Sequence, residues 1–207
     1  MPNWCDSRLT FKHVSESEAK RFHDLVKSWT INAMENGFGD EWLGNICLNS
    51  GVGEWAKDKG MYDKEGHELF CRGSIFGNEI YDSYVEIRQE TAWAPAMRMW
   101  RLICEKHNFD CEIEFWAEEC GCELYATNDP DLEGLYEIDV FDDPPEWFED
   151  AECVHEASLE TVIEFLQKAL KTDETDLLKL RAMEEQSDDC DWFAIHEWEH
   201  SDVSDWE

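Results

Sequence analysis

Basic residues are scarce in this chain. Seventeen lysines and arginines stand against fifty aspartates and glutamates in 207 residues, a formal net charge of −33. Affinity for a DNA or RNA backbone needs clustered Lys and Arg, so the scarcity argues against direct binding of nucleic acid. Long apolar runs are also missing. No stretch approaches the roughly 18–20 residues that cross a bilayer, and the N-terminus has no signal-peptide pattern. The expectation is a soluble chain in the cytoplasm, away from the membrane. A disulfide framework is lacking as well, because nine cysteines are an odd number without regular spacing; they read as reduced thiols. Catalytic signatures are absent too: there is no Gly-x-Ser-x-Gly elbow, no phosphate-cradling glycine loop and no Cys–His pair in a recognisable context. The chain is therefore expected to be no enzyme and to need no cofactor.

What is present is acid, unevenly spread, with aromatics among it. Residues 131–207 carry 26 of the acids and 4 of the bases, so the last third holds most of the excess negative charge. Charge at this density opposes compaction by self-repulsion, and it attracts proteins that ordinarily grip nucleic acid. With 43 % apolar content the chain can still bury one core, or one domain and an appendage.

Periodicity places the elements. Leu9 and Phe11 alternate with Arg8, Thr10 and Lys12, a half-buried strand. Ser15 and Glu18 are spaced as a capping box, and Phe22, Leu25, Val26, Trp29 and Ala33 share one helical face that Gly37 and Gly39 close. Residues 40–82 are punctuated by glycines and read as an irregular insert with short strands near 44–49 and 68–76. A strand follows with Val85 and Ile87, then a helix after Pro95, where the missing N–H costs nothing. Phe109, Cys111, Ile113 and Phe115 alternate with acids as the cleanest strand, and two more come with Leu124 and Ala126 and with "GLYEIDVF". Pro144 and Pro145 mark a boundary. Beyond them, Leu159, Val162, Ile163, Leu166 and Leu170 form a helical face, and Leu177, Leu180 and Met183 suggest another helix or a continuation of it. The expectation is an α+β domain over 1–141 and an acidic, mainly helical extension over 142–207.

Three motifs then recur in order. They are Trp4-Cys5 with Ser7, the corner Thr91-Ala92-Trp93-Ala94-Pro95, and Glu119-Cys120-Gly121 before a strand. In this the chain resembles the YubB ferredoxin-like family of plasmid and phage proteins over roughly residues 1–140. Ala96 stands where the family has a second proline, and Cys120 stands where it has one. The resemblance implies a ferredoxin-like antiparallel sheet with two helices on one face and a mobile-element setting; it implies no catalytic residues. It also makes Trp93 a cap on the sheet; a small-molecule or nucleotide-binding module, with Trp93 as a stacking floor, is an alternative class of function.

Candidate sites follow. Cys120-Gly121-Cys122 is too tightly spaced for zinc and has no second pair, so core thiols are expected. Cys190, His196 and His200 share the tail, and on a helix the two histidines would lie on one face as metal ligands can; a metal-dependent enzyme built there is an alternative, although no third ligand is evident and no metal is expected. The acidic region is different. Asp142, Asp143, Glu146, Glu149, Asp150 and Glu152 flank Trp147 and Phe148, while Asp188, Asp189, Asp191, Glu197 and Glu199 flank Trp192, Phe193 and Trp198. Carboxylates steer a basic groove from a distance and aromatics anchor it on contact. The chain is thus expected to be a DNA-mimicking inhibitor of a host nucleic-acid-binding protein, a nuclease or a CRISPR effector.

Overall fold

A computed structural model of the chain describes residues 3–32, 35, 37–61, 69–141, 144–148, 153–187 and 190–206. Contacts between Cα atoms divide it into two units, Met1–Asp129 with His200–Glu207, and Pro130–Glu199. Both are α+β.

The first unit runs β1 (Trp4–His13), α1 (Glu16–Trp29), α2 (Leu43–Ser50), α3 (Val52–Asp58), β2 (Gly73–Tyr81), β3 (Tyr84–Ala92), α4 (Met97–His107), β4 (Cys111–Glu119) and β5 (Leu124–Thr127). The sheet order is β2-β3-β1-β4-β5, with the two-residue strand β9 (Glu199–His200) at the β5 edge. The pairs β2–β3, β3–β1, β1–β4 and β4–β5 are antiparallel. Strand β1 buries Cys5, Ser7, Leu9, Phe11 and His13, every second residue, as its alternation requires. Phe11 meets Phe22 of α1 at 4.7 Å and Trp100 of α4 at 5.6 Å between ring centroids. Ser15 caps α1 through its side chain, which accepts from the Glu18 amide.

One polar chain crosses this core. The Trp100 indole Nε1 donates to Gln89 Oε1 at 2.8 Å, and Gln89 Nε2 donates to Ser7 Oγ at 3.1 Å. All three residues are buried, so these bonds satisfy groups that would otherwise be costly to desolvate.

His13 is buried without such help. It packs at 5.0 Å on Phe22 and 5.7 Å on Phe109, and both ring nitrogens lack a hydrogen-bond partner. Burial lowers its pKa; the nearby Glu18 pulls it up again and Arg21 pulls it down. A base whose folded pKa is depressed costs stability as pH falls, because the unfolded chain takes up the proton from about pH 6.5 while the folded chain does not. His13→Phe is therefore expected to flatten the acid side of the stability curve. Urea midpoints of wild type and variant should converge near pH 7.5 and separate in the variant's favour near pH 5; parallel curves would refute the assignment.

The second unit runs β6 (Tyr136–Val140), β7 (Val154–Ala157), α5 (Leu159–Leu170), α6 (Leu177–Glu184) and β8 (Phe193–Glu197). Its antiparallel sheet has the order β7-β6-β8. Ile138, Phe193 and Ile195 of the sheet form one core with Val162, Phe165, Leu166 and Leu180 of the helices.

The structure departs from the sequence-based expectations in several places. The division falls after Asp129, upstream of the expected boundary at 141/142, because β6 pairs with β7 and β8. The region beyond 142 holds three strands besides its helices, since the alternating Phe193 and Ile195 face a core. Residues 44–49 are helical, and the expected strand near 68–76 runs over Gly73–Tyr81. α1 ends at Trp29, before the glycines, and Thr30 supplies its C-cap. The second helical face does form a separate helix, as its spacing suggested: Lys171 takes a left-handed φ of 53° and ends the first at Leu170. Cys120–Cys122 form a single 3-10 turn, leaving Cys120 exposed.

Candidate functional site

The corner after β3 is built by hydrogen bonds that no helix or strand supplies. The Trp93 amide donates to Asn3 O at 2.9 Å, and Thr91 Oγ1 donates to Ala94 O at 2.8 Å. Trp93 has a φ of 66°, a left-handed conformation that costs an L-residue roughly 1–2 kcal/mol. Its side chain is 48 % exposed, so it does not close the core as a cap would. Instead the Arg72 guanidinium lies 5.4 Å from the ring centroid. The three motif segments meet here. Cys5 pairs with Thr91, Trp4 with Ala92 and Asp6 with Glu118, and a Cβ on Gly121 would stand 2.4 Å from Asn3 Nδ2. Burial pushes the Cys5 thiol up to about 12, which makes it a packing group and not a nucleophile.

Beside the corner is a pocket of about 870 Å³, of the size that small molecules occupy. Phe38 and Trp42 wall it, stacked at 4.1 Å with 17° between their planes. Trp206, from the chain's other end, lines it too, and its indole nitrogen is buried with no hydrogen-bond partner. Arg72 and Arg98 supply two cations, and Asp205 one carboxylate. That carboxylate is engaged, accepting from the Asp202 amide at 2.8 Å and from Ser201 Oγ at 3.3 Å. The α4 N-terminus opens on the same space, with Ala96 giving no side-chain cap and no acid in the first turn. Trp93 itself does not line the pocket; it touches it through Arg72.

The predicted acidic surface lies partly outside the described residues, namely Asp142, Asp143, Glu149, Asp150, Glu152, Asp188 and Asp189. Of the others, Glu146, Asp191, Glu197 and Glu199 are exposed. The two aromatic segments, far apart in sequence, come together: Trp147 lies 5.7 Å from Trp192 and 5.8 Å from Phe165, and Trp192 lies 4.8 Å from Phe193. Trp147 keeps 40 % exposure and so presents a ring at the surface, whereas Trp198 is buried at 5 % and serves packing. Helix α5 adds Glu160 and Glu164, exposed and four residues apart, hence on one helical face. Two of the four basic residues beyond 130 are tied to carboxylates, Lys179 to Glu174 at 3.1 Å and Arg181 to Glu184 at 2.7 Å.

The tail cysteine and histidines are not arranged as a helical ligand set. His196 lies on β8 and His200 on β9, while Cys190 is buried in the second core, so the four-residue spacing puts nothing on one helical face. Among the described residues no group of three or more His, Cys, Asp or Glu is placed to hold a metal. His196 Nε2 stands 3.6 Å from Asp139 Oδ2, and His155 pairs through Nδ1 with Glu137, whose pKa burial raises and His155 lowers.

Sequence reading missed Phe38, Trp42, Arg72, Arg98 and Trp206 as a group, since they come from separate segments with no shared spacing. It also missed the Glu137–His155 pair, whose partners sit on strands that only the tertiary fold brings side by side. No helix among the described residues is long and apolar enough to cross a membrane. Comparison of the chain with protein-family models, with curated proteins and with solved structures found no match.

Proposed function

We propose that the chain is a non-catalytic phage or plasmid accessory protein that binds and inhibits a host nucleic-acid-binding defence protein. A restriction enzyme or a CRISPR effector is the target class, and carboxylates take the place of backbone phosphates. The observation that carries this is the net charge of −33 with its excess beyond residue 130, where Glu146, Glu160, Glu164 and Asp191 are exposed in the same unit as a surface aromatic, Trp147. Steering comes from the charge and anchoring from the ring. The setting rests on the resemblance of residues 1–140 to the YubB family. A ferredoxin-like reading of the first unit is supported by its β1-α1-β2-β3-α4-β4 succession, into which α2 and α3 are inserted after α1, with strand order β2-β3-β1-β4, all pairs antiparallel, and by Phe11 touching both α1 and α4.

The test is affinity capture from bacterial lysate at about 0.1 M and about 0.5 M salt, spanning a Debye length of roughly 10 Å down to less than half that. A specific nuclease or effector is expected to stay bound at the higher salt and to be released by duplex DNA. Substituting Glu146, Glu160, Glu164 and Asp191 together by their amides, with Trp147→Ala as a separate variant, should abolish capture while the thermal transition persists. Capture of nothing, or of a partner that duplex DNA does not displace, would overturn the proposal.

A further inference from the structure

We propose that the pocket of the first unit binds a nucleoside monophosphate, with the base stacked against the Phe38–Trp42 pair and the phosphate held by Arg72 and Arg98. The inference is independent of the acidic-surface reading, since it concerns one of the few places where this chain is cationic. Neither Arg72 nor Arg98 pairs with a carboxylate among the described residues, although acids outnumber bases about threefold over the chain. Arg98 Nη2 donates to Met61 O, which fixes the side chain and leaves its other guanidinium donors available. Arg72 is held over Trp93, and the main chain beneath it is fixed by the Ala92 amide donating to Arg72 O at 3.0 Å. The strained φ of Trp93 thus has a consequence: it keeps a half-exposed ring under a guanidinium at the pocket's edge.

Three features select the ligand. Aromatic walls on Phe38, Trp42 and Trp206 favour a planar ring, which stacks on such surfaces whatever its hydrogen-bonding edge. Two arginines beside the uncapped first turn of α4 favour a compact anion, because backbone amides and the helix dipole add to the side-chain charge. Asp205 and the charge of the whole chain limit how much negative charge is tolerated. That favours a phosphate of about −1.5 to −2 over an oligonucleotide.

The experiment is isothermal titration of the full chain with AMP, GMP, CMP and UMP, with adenosine and inorganic phosphate as probes of the separate halves. At least one monophosphate is expected to bind more tightly than either half-ligand. Arg72→Ala should weaken it on the order of tenfold or more while leaving adenosine affinity nearly unchanged. Phe38→Ala, at a position 55 % exposed, should weaken monophosphate and adenosine alike by on the order of fivefold or more. Thermal unfolding checks that each variant is folded, and Arg72→Gln replaces Arg72→Ala if that one is not. Absence of binding by all four nucleotides overturns the proposal. So does binding indifferent to both substitutions, or inorganic phosphate binding as tightly as the best nucleotide.

Discussion

Trp100→Ala is expected to destabilise the first unit by about 3–5 kcal/mol, from the lost ring and the cavity left in its place. Trp100 is fully buried, packs on Phe11, and is the donor to Gln89 Oε1. Truncation therefore also leaves a buried acceptor without its partner, at an added cost of about 1–3 kcal/mol. Against a total of roughly 5–15 kcal/mol for a domain, that is a large fraction of the stability and, at the lower end, all of it. Trp100→Phe is an intermediate case, since it keeps a six-membered ring in the core while removing the N–H and the rest of the indole. Urea unfolding followed by circular dichroism should place it between wild type and Trp100→Ala. A loss under about 1 kcal/mol for the alanine variant would mean that the core closes around the gap, and the packing account would be wrong.

Gly73→Ala is expected to cost about 3 kcal/mol, the upper end of what overpacking exacts. A Cβ at this position would stand 2.2 Å from Glu90 O and 2.8 Å from Thr91 Cα. Both are main-chain atoms of the partner strand β3, so no side-chain rotation relieves the contact. The start of β2 must move away, and with it the bond from the Ala92 amide to Arg72 O. Gly39→Ala is the control, because nothing lies within 4 Å of a Cβ there. Hydrogen exchange should show faster exchange of the Ala92 amide in Gly73→Ala and no change in Gly39→Ala; equal stability of the two variants would contradict the close approach.

The strongest local signals survived the passage to three dimensions. Strands with strict alternation, Leu9 and Phe11, Val85 and Ile87, or Ile113 and Phe115, pair in the central sheet because only one face of each can be apolar at the core. Ser15 caps its helix because a hydroxyl three residues ahead of an amide has a local partner whatever the surroundings. Short apolar runs were less legible. "LGNICLNS" is a helix where a strand was expected, since Ile46 and Leu48 alternate as in a strand while Leu43 and Ile46 fit a helical turn, and burial against α1 decides. The tail strand Phe193–Glu197 was masked by the acids around it, although Phe193 and Ile195 alternate as core residues should.

The candidate sites divide in the same way. The amino-acid sequence by itself determined the charge of −33, its concentration beyond residue 130 and the presence of aromatics within it, because net charge is additive and needs no geometry. It also determined the corner at residues 91–95, where proline and the end of an alternating run restrict the backbone locally. Only the tertiary structure decided that Trp147 joins Trp192 while Trp198 is buried, and that His196 and His200 lie on strands. It alone brought Phe38, Trp42, Arg72, Arg98 and Trp206 around one pocket. The reason is physical: a pocket is a property of chain segments meeting across a sheet and a helix end, and the side chains that line it obey no common period along the sequence.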